Sequence, residues 1–110
     1  MAALRAELEA RGQRVGSDTT GLKRDLYIGG TDRPSALFEF KASLEHAADS
    51  MYEGRWEPGM PRRVAVLPAP VGGGAIEELL EQAGILILSY GFKGDAIVFV
   101  GLDELMRRIS

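Results

Sequence analysis

From Leu44 onward the chain alternates between helical spacing of its apolar residues and short apolar runs, and that alternation limits the folds open to it. Leu44, Ala47, Ala48 and Met51, continuing through Tyr52 to Arg55 and Trp56, follow the spacing of a helix that packs one face. The next run, Arg63-Val64-Ala65-Val66-Leu67-Pro68, is apolar with little interruption, as a buried parallel strand is. Ile76, Leu79, Leu80 and Ala83 form a second helical stripe, stopped at Gly84, and residues 85–90 read as the strand that follows. A turn is expected over 91–95. Residues 96–100 read as a further strand or as the hairpin partner of the previous one, and Leu102, Leu105, Met106 and Ile109 mark a terminal helix.

The first part of the chain is punctuated differently. Leu4 and Leu8, one turn apart, predict a short amphipathic helix over 2–11 with Gly12 as its stop. Arg14-Val15 opens a first strand, and the turn formers over 16–21 bend the chain into a second strand over 23–28. Gly-Gly-Thr-Asp-Arg-Pro over 29–34 separates this from a third strand over 36–41. Ser43 is placed to cap the helix that begins at Leu44, and Pro58-Gly59-Met60-Pro61 ends it. The order is helix, three strands, helix, strand, helix, strand, strand, helix. A meander followed by helical crossovers predicts an α/β fold with a mixed central sheet flanked by helices.

At 110 residues and 45% hydrophobic content, the whole of 1–110 is expected to form one domain. The absence of cysteine excludes disulfides, thiolate catalysis and cysteine-based zinc sites, and is compatible with a reducing cytoplasm. The opening residues are acidic and helical in pattern, and no stretch approaches about 18 apolar residues, so neither a signal peptide nor a membrane span is expected. A net charge of -3 argues against gripping nucleic acid by bulk electrostatics. Any such binding needs a local basic patch or a larger protein around this domain.

Asp25 on the second strand and Glu39-Phe40-Lys41 on the third are the residues with most chemical content. Alternation puts Glu39 and Lys41 on one face with Leu37, while Phe38 and Phe40 turn the other way into a core. Adjacent antiparallel strands bring Asp25 toward the other charges. Carboxylate oxygens suit a hard cation such as Mg²⁺ or Mn²⁺, and a lysine beside it can orient a water. An ordinary surface hairpin carrying a solvated Glu-Lys pair fits the same spacing.

That order of elements, with Asp25 and Glu39-Phe40-Lys41 on neighbouring strands, resembles the PD-(D/E)xK nuclease superfamily, also called restriction-endonuclease-like. Residues 37–41, 62–68, 84–90 and 99–105 look like small nuclease-like domains of that superfamily in bacterial restriction or repair systems. The resemblance implies an α-β-β-β-α-β core with a C-terminal α-β-β-α extension. Asp25 and Glu39 would be the ligands of Mg²⁺ or Mn²⁺, the Phe40 carbonyl would complete the shell, and Lys41 would sit at the attacking water. Relatives often add an acid from the first helix, for which Glu7 is the candidate. Two departures stand out. Arg24 occupies the place of a proline, and Asp49-Ser50-Met51-Tyr52 stands where many relatives carry a glutamine.

Arg55, Trp56, Arg62 and Arg63 cluster around one turn and, with Tyr52, are the candidates to hold a nucleic-acid backbone and stack a base. They fit equally a helix end with capping cations and a packed tryptophan. Gly72-Gly73-Gly74 lacks the lysine and hydroxyl residue of a P-loop and reads as a connector; His46 reads as a solvated helix residue. The expected function is metal-dependent phosphodiester hydrolysis of nucleic acid, DNA in the first place. The alternatives are a catalytically inactive nuclease-like fold serving as a binding or assembly module, and a homodimeric junction-resolving nuclease.

Overall fold

The computed structural model describes residues 2–16, 26–29, 34–51, 57–69 and 74–109. The elements follow the order α1 (Ala2–Ala10), β1 (Val15–Gly16), β2 (Leu26–Gly29), β3 (Pro34–Phe40), α2 (Leu44–Met51), β4 (Arg62–Pro68), α3 (Ala75–Gln82), β5 (Ile85–Lys93), β6 (Ala96–Val100) and α4 (Leu102–Ile109). The strands lie in one six-stranded sheet in sequential order. β1, β2 and β3 form an antiparallel meander. β3, β4 and β5 run parallel, each joined to the next through a helix, and β6 returns antiparallel to β5. The fold is α/β with a mixed sheet, as the alternation of periods predicts.

Helices cover both faces of the sheet. On one face Leu4 and Leu8 of α1 and Leu102 and Leu105 of α4 pack with Leu26, Ile28, Phe38, Val64, Val66, Leu86 and Leu88. On the other, Ala47 and Met51 of α2 and Leu80 and Ala83 near α3 pack with Ala65, Leu67 and Ile85. Consecutive residues of one strand therefore serve opposite layers, as Val64 and Ala65 do. This is why β4 and the start of β5 are apolar at successive positions.

Local chemistry sets the helix ends. The Ser43 hydroxyl accepts the His46 N–H at 3.1 Å and so caps α2. Gly12 adopts φ 82° after α1 and Gly84 φ 80° after α3, conformations that halt a helix at little cost only for glycine. Acidic Asp103 and Glu104 open α4 and Arg107 and Arg108 close it, matching the helix dipole at both ends.

The turn expected over 91–95 is shorter than the glycine at 91 suggests. β5 continues to Lys93, Gly91 pairs with Val98, and the hairpin turns at Gly94 and Asp95. Gly94 takes φ 64°, which a tight two-residue loop requires, whereas Gly91 sits in the ladder. Strand 23–28 is described only from Leu26, and the helix expected to reach Trp56 only to Met51; the residues between lie outside those described. Among the described residues no helix is long and apolar enough to cross a membrane.

Candidate functional site

Glu39 is the buried charged residue of the described part of the chain. It sits near the C-terminal end of β3, and its strand neighbours Phe38 and Phe40 turn into the layer beneath α1 and α4. Alternation sends Glu39 to the opposite face, under α2, where Ala65 of β4 lies directly across from it. The small alanine leaves room beside the carboxylate. Its burial excludes the solvated surface pair that the spacing alone allows.

Two cations meet this carboxylate. Arg63, also on β4, donates from Nε and Nη2 to Glu39 Oε2 at 3.1 and 2.8 Å. Its Nη1 donates to the backbone carbonyl of Met51 at 2.7 Å, the last described residue of α2. Lys41 places Nζ 3.8 Å from the other oxygen, Oε1, which is ion-pair distance but beyond a hydrogen bond. The Lys41 and Glu39 side chains are only 9% and 4% exposed. A buried carboxylate without such partners would be strongly disfavoured. The two oxygens are thus unequal: Oε2 is taken up by the guanidinium and Oε1 faces Lys41.

The remaining expected site residues are distributed around the sheet. Phe40 packs at the edge of the α1–α4 layer and leads directly into Lys41, whose N–H donates to the Val66 carbonyl at 3.0 Å. Glu7 lies on α1, across the sheet from Glu39. It is exposed and pairs with Arg11 at 2.6 Å, and Arg11 in turn reaches Asp103 of α4 at 2.9 Å. The hydrogen bonds that Arg11 donates to Glu7 and then to Asp103 raise its pKa above the ordinary arginine value. Glu7 is therefore tied into a contact between α1 and α4 and is not brought to Glu39.

Arg62 and Arg63, adjacent in sequence, part company in the structure. Arg62 points to the α4 side, where burial and then the nearby charge of Arg108 lower its pKa. Arg63 points to Glu39 and α2. Of the basic cluster expected around this turn, Arg62 and Arg63 thus lie on opposite faces of the sheet. Asp25, Tyr52, Arg55 and Trp56 lie outside the described residues. Leu26, the residue after Asp25 in sequence, pairs with Phe38, the residue before Glu39.

Among the described residues no group of three or more histidine or acidic side chains gathers to hold a metal ion. Glu39 offers one oxygen, Oε1, and Mg²⁺ takes its protein ligands from one or two carboxylates with water completing an octahedron. The donor set fits a divalent cation only if a second acid joins it, and the expected one is Asp25. Arg63, named from the sequence for nucleic-acid contact, has a place beside Glu39 that sequence reasoning missed. Its signal was a cation two residues before Ala65, on the face of a buried strand that also carries Leu67.

Comparison with protein-family models, curated proteins and solved structures finds no match to this chain.

Proposed function

We propose that the chain is a nuclease-like domain of the PD-(D/E)xK type that hydrolyses nucleic-acid phosphodiesters with Mg²⁺ or Mn²⁺. The observation that carries this reading is the buried juxtaposition of Glu39 and Lys41 on one face at the end of β3. Ligands of open α/β sheets bind outside the carboxyl ends of the parallel strands, and this pair lies at that end of β3. The helix-first meander followed by the α2 crossover to a parallel β4 supports the same reading.

In this reading Glu39, through Oε1, and Asp25 would hold the cation. When bound, Mg²⁺ lowers the pKa of a water and takes up charge on a phosphoryl oxygen. Lys41, a donor-only side chain, orients the attacking water and stabilises charge developing on the phosphate. Its ammonium has hydrogen-bonding capacity for that role because Glu39 Oε1 lies beyond hydrogen-bond reach. A calorimetric titration with Mn²⁺ tests the site: one ion should bind the wild-type chain, and Asp25→Ala should abolish that binding. Equal binding by the variant removes Asp25 from the site.

One observation favours a second reading, an inactive nuclease-like fold serving as a nucleic-acid-binding or assembly module. Glu39 is nearly enclosed and already hydrogen-bonded twice by Arg63. A carboxylate so engaged can serve as a structural ion pair. DNA binding without cleavage, unchanged by Mg²⁺, would support this alternative.

A further inference from the structure

We propose that the open edge of β6 is a self-association surface, on which a second copy of this chain lays its own β6 antiparallel about a two-fold axis at Val98. β6 ends the sheet, and its strand neighbour among the described residues is β5 alone. Sheet edges are usually blunted by shortness, charge, proline or a bulge, because their free N–H and C=O groups recruit other strands. β1, at the opposite edge, is two residues long. β6 carries none of these devices. Ala96-Ile97-Val98-Phe99-Val100 holds no charge and no proline, and its register with β5 is unbroken. Val98 and Val100 are 45% and 59% exposed, and Phe92 of β5, paired with Ile97, is 70% exposed.

The hydrogen-bond pattern makes this edge complementary to itself. Lys93 and Ala96 close the loop at Gly94 and Asp95, so the hydrogen bond of the turn joins them. Antiparallel pairs alternate from there, which turns the backbone groups of Ala96, Val98 and Val100 toward β5 and those of Ile97 and Phe99 toward the open edge. A two-fold axis at Val98 sets Ile97 against Phe99 of the second copy and Phe99 against its Ile97, each pair exchanging both hydrogen bonds. The side chains agree with that register. On one face Val98 meets Val98 of the second copy and Val100 meets its Ala96. On the other, Ile97 of the second copy extends the row of Tyr90 and Phe99, whose rings lie 6.2 Å apart. Gly91, across from Val98 on β5, offers it no side chain, so the apolar neighbour of Val98 comes from the seam. No like charges meet along the strand.

This pairing does not depend on nucleic-acid cleavage. A seam of five residues a side belongs with small, weak interfaces, so the dimer should build up with concentration. In sedimentation experiments the full wild-type chain should pass from monomer to dimer between about 1 μM and 1 mM. Val98→Lys and Val98→Glu, each checked first for a cooperative thermal transition, bring like charges together on the axis and should weaken self-association at least about tenfold. An equimolar mixture of the two should recover the dimer, because opposite charges then meet at the seam. A wild-type chain that stays monomeric at about 1 mM overturns the proposal and leaves the edge to a strand of a different protein. A smaller loss in either variant, or a mixture that associates no better than each variant alone, also overturns it. If either charged variant does not fold, Ile97→Pro decides, since it deletes an N–H directed to the open edge and none that bonds β5. Self-association weakened at least about tenfold upholds the proposal, and a smaller change overturns it.

Discussion

Glu39 shows at the scale of a single residue how one position can look ordinary in sequence and be costly in the fold. Period-two alternation already separates Glu39 and Lys41 from Phe38 and Phe40, and the packing of Phe38 follows that pattern. Arg63 was not legible in the same way. The parallel register that sets Leu37 opposite Arg63 and Glu39 opposite Ala65 arises from packing among strands distant in sequence, and no local pattern encodes it. Arg63→Met strips Glu39 Oε2 of both its guanidinium hydrogen bonds and leaves Lys41, at 3.8 Å, as the facing cation, so stability should fall by up to about 3–5 kcal/mol in urea unfolding. The double variant with Glu39→Leu should recover only part of that loss, because it removes the Glu39 charge but leaves the buried Lys41 ammonium without the carboxylate it faces. Full additivity of the two single changes would contradict the pairing.

Among the elements, the helices and strands follow from apolar spacing, and their ends follow from particular residues. Ser43 is legible as a cap because a hydroxyl precedes the apolar stripe of α2, and its bond to the His46 N–H realises that expectation. Ser43→Ala should destabilise the protein by about 0.5–2 kcal/mol, read from the denaturation midpoint. The end of β5 is less legible, because glycine at 91 resembles a turn until β6 is seen to pair with it. The two parts of the β5–β6 hairpin should also differ in sensitivity. Leu88 is fully buried, whereas Val98 is 45% exposed. Leu88→Ala should cost about 2–5 kcal/mol, and Val98→Thr should change stability by less than about 0.5 kcal/mol. Similar losses at both positions would contradict the layer assignment.

At the scale of the whole molecule, the sequence order reveals a sheet with helices around it but leaves open which face each helix covers. An amphipathic stripe such as Leu4 and Leu8 says that α1 packs, and both faces of the sheet can accept it. The choice decides chemistry: α1 joins α4 on the face away from Glu39, so Arg11, paired with Glu7, meets Asp103 there. Likewise Arg62 and Arg63 are divided between the faces, so that Arg63 is an internal partner of Glu39. In the proposed reading, one Glu39–Lys41 pair per chain also limits the product. Cutting both strands of a duplex calls for a second copy, so a monomeric chain should nick. The decisive measurement is cleavage of supercoiled plasmid DNA by the purified chain, with Mg²⁺ and then with the metal chelated. Metal-dependent nicking that disappears in folded Lys41→Ala and Glu39→Gln variants is the expected result. Equal nicking by folded Lys41→Ala, or no metal-dependent cleavage of plasmid, single-stranded DNA or RNA by the wild-type chain, would contradict a hydrolytic site at Glu39 and Lys41.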